Sequence, residues 1–137
     1  MSVWTHVAGI VRFDDIRIIN AKLDWLGEPV RWEDDDEEKW RNCILPCGSE
    51  GSLEYQIYEN PDPCCVARWC VQFWGDLRDY DDEEEIIDYF KKITKDKWVR
   101  QGVFTIHVEF YRTRTFVYDV DKKDWIELNK IGENRNG

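Results

Sequence analysis

Polar and apolar positions alternate most regularly over residues 66–74, and the pattern then changes period. Ala67, Trp69, Val71 and Phe73 fall on one side and Arg68, Cys70, Gln72 and Trp74 on the other. This is the period-two signature of a strand with two unlike faces. Gly75 interrupts the alternation, and residues 76–80 read as a turn. Beyond it, Ile86, Phe90 and Ile93 recur at helical spacing with Ile87 alongside. Asp82, followed three residues later by Glu85, fits a capping box with Asp in the cap role. Residues 66–93 are therefore read as strand, tight loop and helix, and the rest of the chain is arranged around them.

The first strand is expected over residues 3–13. Val3, Thr5, Val7, Val11 and Phe13 share one face, and Trp4, His6, Ala8, Ile10 and Arg12 the other. Asp14 or Asp15 can then cap a helix whose stripe is Ile16, Ile19, Leu23 and Leu26, closed by Gly27 at C′ and followed by Pro29. The stretch 28–52 reads as a surface insertion or long connection, with turns at Pro46, Gly48 and Gly51. Residues 53–58 alternate as a second strand and end at Asn60-Pro61-Asp62-Pro63, a turn sequence. A fourth strand over 103–111 sets Phe104, Ile106, Val108 and Phe110 against Thr105, His107, Glu109 and Tyr111. The chain is expected to turn around residues 112–114 into 115–120, then at 121–124 into 125–128, as a short edge hairpin. This order predicts an α+β fold: a ferredoxin-like βαββαβ antiparallel sheet with two helices on one face, a surface insertion and a C-terminal hairpin. One domain spans 1–131, and 132–137 is a polar tail.

Composition supports a folded domain, since 42% of residues are hydrophobic and 15% aromatic. The five cysteines are an odd number, which reads as free thiols in a reducing compartment rather than a disulfide framework. The opening MSVWTHVAGIVRFDD lacks a basic leader, and no apolar run approaches the ~20 residues of a membrane span, so a cytoplasmic location is expected. Charge is uneven. Residues 1–90 hold 22 acids and 8 bases, whereas residues 91–137 hold 7 acids and 11 bases. The net −10 argues against nucleic acid as a partner, which needs clustered Lys and Arg, and favours a protein with a basic surface.

The expected sheet has one face away from the helices. With the first strand between the third and fourth, that face gathers Trp4, His6, Arg68, Cys70, Gln72 and Trp74, joined by His107, Glu109 and Tyr111. Aromatic anchors beside an arginine are what protein interfaces favour. Cover by the 28–52 segment or the hairpin is the competing reading. Acidic runs add a second candidate surface: Asp34, Asp35, Asp36 and Glu37, and Glu83 with Glu84. The second run also serves as helix cap and dipole complement. Cys43, Cys47, Cys64, Cys65 and Cys70 lack the tidy pairing of a structural zinc site, and no metal or other cofactor is assigned. A set of His6, His107, Glu109 and Cys70 is the other conceivable ligand group. Phosphate loops, nucleophile elbows and zincin helices are absent from the sequence, and a Cys70–His107 nucleophile pair has no oxyanion hole, so an enzyme is not expected.

The stretches GSEGSLEY at 48–55 and GDLRDYDD at 75–82, with WTHVAGI at 4–10, resemble small uncharacterised proteins of Gram-positive bacteria and their phages. The resemblance implies a phage accessory role at the level of class and transfers no site residue. The sequence thus predicts a non-enzymatic binding protein that docks on and blocks a host protein. The alternative is a small-ligand or nucleotide-sequestering module, with an oligomer allowed.

Overall fold

The computed structural model describes residues 2–14, 26–27, 45–62 and 69–128. Outside them lie most of the expected first helix, the acidic run with Asp34, Asp35, Asp36 and Glu37, three cysteines (Cys43, Cys64, Cys65), Arg68 and the polar tail. The described residues form β1 (Trp4–Phe13), β2 (Glu54–Glu59), β3 (Trp69–Arg78), helix α1 (Glu83–Thr94), β4 (Val99–Val108), β5 (Arg112–Asp119) and β6 (Asp124–Glu127). All six strands join one antiparallel sheet in the order β2-β3-β1-β4-β5-β6.

This corrects the ferredoxin-like α+β expectation with two helices. The described structure is mostly β, with six antiparallel strands and one 12-residue helix. The physical reason lies in the C-terminal third of the chain. Its hairpin does not sit apart as an appendage: β4 and β5 continue the ladder through Val103↔Val117 and Phe104↔Phe116, so β5 and β6 extend the main sheet. β1 does lie between β3 and β4.

Three further boundaries move. β3 runs through Gly75 to Arg78 instead of stopping there. A Cβ at Gly75 would stand 3.0 Å from Leu53 Cα, so the glycine marks a close backbone approach rather than a turn. β4 begins at Val99, not at residue 103, and ends at Val108. Phe110 consequently leaves the apolar face: it sits in the β4–β5 turn at φ 69° and is exposed. That turn also places the start of β5 at Arg112, where the sequence analysis expected the chain still to be turning.

α1 forms as its pattern predicts. The Asp82 side chain accepts from Glu85 N at 3.1 Å, satisfying one free amide of the first turn. Glu83, Glu84 and Glu85 lie at the positive end of the helix and Lys91 and Lys92 at the negative end. Its buried residues, among them Ile86, Phe90 and Ile93, cover the sheet face made by Val7, Val11, Val71, Phe73, Phe104 and Ile106. Phe90 stacks on Phe104 at 4.0 Å between ring centroids, and Phe104 on Phe116 at 4.7 Å. Trp125 closes this pile from β6, its indole donating to Thr94 Oγ1 at 3.1 Å. The ring lies over Gly102, where a Cβ would collide with it. Leu26 is fully buried in the same core, and its carbonyl accepts from Tyr89 Oη at 2.7 Å. Gly27 takes φ 85°, in the left-handed region that glycine favours.

Candidate functional site

The helix-free face is laid out in rows by the antiparallel register, because every second residue of each strand points to it. One row runs Glu54, Trp74, Ala8, Thr105, Thr115, and the next Gln56, Gln72, Ile10, Val103, Val117, Ile126. Trp74 is 42% exposed, and Gln72 and Ala8 beside it are also exposed. Tyr58, two residues beyond Gln56 on the edge strand, is exposed as well. The face therefore carries an accessible indole and phenol near its β2 edge, with Glu54 beside the indole.

At one end of this face, the row Asp76, His6, His107, Thr113 forms a clasp. His6 Nδ1 meets Asp76 Oδ1 at 2.5 Å, and Nε2 meets Glu109 Oε2 at 3.0 Å. A neutral imidazole has a single N–H, so two carboxylate partners call for the imidazolium, donating from both nitrogens. Hydrogen bonding to Asp76 first, then to Glu109, holds the His6 pKa above its ordinary value. Glu109 is held below the usual carboxylate range by His6 and by the Trp4 amide, which donates to Oε1 at 2.9 Å. His107 stacks on His6 at 5.9 Å, and its Nδ1 pairs with Thr113 Oγ1 at 2.7 Å. The clasp ties β3, β1 and the β4–β5 turn together.

The structure thus brings Trp4, His6, His107 and Glu109 to one end, with Gln72 and Trp74 along the same face. Tyr111 is 77% exposed, but it sits in the turn with Phe110 rather than in a strand row. Glu83 is engaged inside the protein, by Arg112 at 3.3 Å and Arg114 at 3.4 Å. Glu84 is exposed, 3.7 Å from Arg114. Arg68 and the run Asp34, Asp35, Asp36, Glu37 lie outside the described residues.

The set of His6, His107, Glu109 and Cys70 and the Cys70–His107 pair do not assemble, and Cys43, Cys64 and Cys65 of the cysteine set lie outside the described residues. Cys70 is buried opposite Arg12, whereas His107 is opposite His6, six residues along β1. At the rise of a strand, that is about 20 Å. Among the described residues no group of three His, Cys, Asp or Glu side chains is placed to hold a metal ion. Nor is any described helix long and apolar enough to cross a membrane. Comparison of the chain with protein-family models, curated proteins and solved structures returned no match.

Two features escaped the sequence reading. Asp76 was placed in a turn, so its pairing with His6 was not visible, although an uninterrupted β3 would have put both on one face. The second is a cleft of about 840 Å³ at the opposite end of the sheet, between the C-terminus of α1, the start of β4 and the β5–β6 turn. The excess of bases after residue 91 was its only sequence signal.

Proposed function

We propose that this protein is a non-enzymatic binding protein that docks on a protein partner through the helix-free sheet face. The observation that carries this reading is the exposed Trp74, with Gln72 and Ala8 beside it and Tyr58 farther along the edge strand, all on one sheet face. Indole and phenol side chains give large contact area for little lost freedom, and they dominate the energetics of interfaces. Carboxylates rim the patch at Glu54 and Asp76, so the partner's matching surface is basic. The chain's net −10 steers such a partner in and repels nucleic acid. The resemblance to small proteins of Gram-positive bacteria and their phages suggests a host protein as that partner and blocking as the outcome, by analogy of class, in the cytoplasm.

The test is affinity capture from a Gram-positive lysate with the wild-type chain and with Trp74→Ala, at low and high salt. A protein retained by the wild type at low salt, lost with Trp74→Ala and released by salt, supports the reading. Capture that ignores both changes, or no capture at all, removes it.

A further inference from the structure

The cleft at the basic end has a chemistry opposite to that of the rest of the molecule. Five cationic side chains line it, Lys91, Lys95, Lys97, Arg100 and Lys123, against three acids, Asp14, Asp96 and Asp124. That is a positive surplus within a chain of net −10. Cations at a helix C-terminus complement the macrodipole, and this accounts for Lys91 and Lys95 in part. It does not account for Arg100, which comes from β4, or for Lys123, which comes from the β5–β6 turn. These elements converge on one concavity. Arg100 is fixed there by Asp14, which accepts from Nε at 2.8 Å and lies 2.7 Å from the second nitrogen. Lys91, Lys95 and Lys123 have no ion-pair partner among the described residues.

The second observation is apolar. Trp98 is 64% exposed on the wall of the cleft, and Val120 across from it is also exposed. The Trp98 backbone is nonetheless pinned, because its carbonyl accepts from Asp14 N at 2.8 Å. An indole on a fixed backbone, open to solvent beside three unpaired ammonium groups, offers a stacking surface and a charge site together. Bare phosphate would use only the second, and an apolar ligand only the first. A cleft of about 840 Å³ lies within the usual ~300–1,000 Å³ range of small-molecule sites.

We infer that this cleft binds a nucleoside phosphate, with the base stacked on Trp98 and the phosphates met by Lys95, Lys123 and Arg100. A longer nucleic acid is disfavoured by the same net charge that disfavours it elsewhere, and the inference does not depend on the docking face. Calorimetric titration of the full chain with ATP, GTP, adenosine, tripolyphosphate and a short single-stranded RNA tests it. The expected result is binding of ATP or GTP about tenfold tighter than of tripolyphosphate, which is the worth of one stacked base, and tighter than of adenosine, which lacks the phosphates that the lysines meet. Trp98→Ala and the double variant Lys95→Ala/Lys123→Ala should each weaken it about tenfold. All three positions are exposed, so the fold is expected to survive, with circular dichroism as the check. Trp74→Ala, on the other face, should leave this binding unchanged. No binding of ATP or GTP overturns the inference. So does tripolyphosphate binding as tightly as ATP, RNA binding more tightly than both nucleotides, or indifference to Trp98→Ala.

Discussion

The two ends of the sheet are built on different principles. At the end where β1 begins, charged side chains are knit to one another: His6 between Asp76 and Glu109, and Arg114 between Glu127 and Glu83. At the end where β4 begins, Lys91, Lys95 and Lys123 line a cleft with no ion-pair partner among the described residues, and order comes from the aromatic packing beneath, with Trp125 set over Gly102. The helix connects the two, acidic at its first turn and basic at its last. Charges satisfied internally stabilise the fold and offer little to a ligand. Charges left open cost nothing in pairing and remain available for recognition. The contrast suits the first end to stabilising the fold, and the second is where the inferred nucleotide binding would fall.

The largest effect should come from removing the support beneath the open end. Trp125→Ala deletes a buried indole that also donates to Thr94 Oγ1, and about 3–5 kcal/mol of stability should be lost in urea unfolding. A loss under ~1 kcal/mol would mean that the aromatic pile does not hold this end. Next comes Arg114→Ala at the knitted end. The Arg114 and Glu127 side chains are each only 11% exposed, so the Glu127 carboxylate would be left mostly buried without its guanidinium; about 3 kcal/mol is expected. An unchanged unfolding midpoint would show the network to be ornamental.

The clasp gives a smaller, pH-dependent effect. The His6 pKa is raised in the folded state, so its contribution is complete below the ordinary 6.5 and is lost as pH rises through the folded value. Glu109 is lowered, so its contribution is present above 4.5 and is lost as pH falls through its folded value. Together they place the clasp's greatest stabilisation between pH 4.5 and 6.5. Thermal melts across the neutral range should show stability falling as pH rises, and His6→Gln should flatten that slope. A rise with pH in the wild type that His6→Gln abolishes would reverse the assignment.

The smallest effect belongs to the turn at the open end. Lys123 sits at φ 54°, a conformation that strains any residue with a Cβ. Lys123→Gly should raise stability by roughly 0.5 kcal/mol while weakening nucleotide binding. A loss of stability would mean that the lysine side chain supports the turn.

Much of the sheet was legible because its strands obey a strict period of two. Val71 and Phe73, and Phe104 and Ile106, all face the core as their alternation requires. The Asp82 cap and the Ile86, Phe90, Ile93 stripe were legible for the same reason, since local chemistry determines them. Two boundaries went astray at glycines. Gly75 looks like a break, and the expected fourth strand starts just after Gly102, yet each glycine lies inside a strand where another group must approach closely, Leu53 in one case and Trp125 in the other. A local pattern carries no information on that approach. The architecture went astray for a related reason: a hairpin that prolongs a sheet and one that hangs beside it have the same sequence signature. Of the site, the common face of His6, His107 and Trp74 could be read from alternation. The basic cleft could not, because its cations come from three separate elements and meet only in three dimensions.

The sheet described here ends in two short strands, β2 of six residues and β6 of four. An outermost strand presents unpaired amides and carbonyls on which another chain can be templated, and longer, flatter edges make better templates. Both outer strands here are brief and begin and end in carboxylates, Glu54 and Glu59 on one side and Asp124 and Glu127 on the other. Two such borders brought together would set like charges against each other at each end of the seam. The molecule can therefore expose aromatic surface at high concentration and still resist polymerising edge to edge into fibrils.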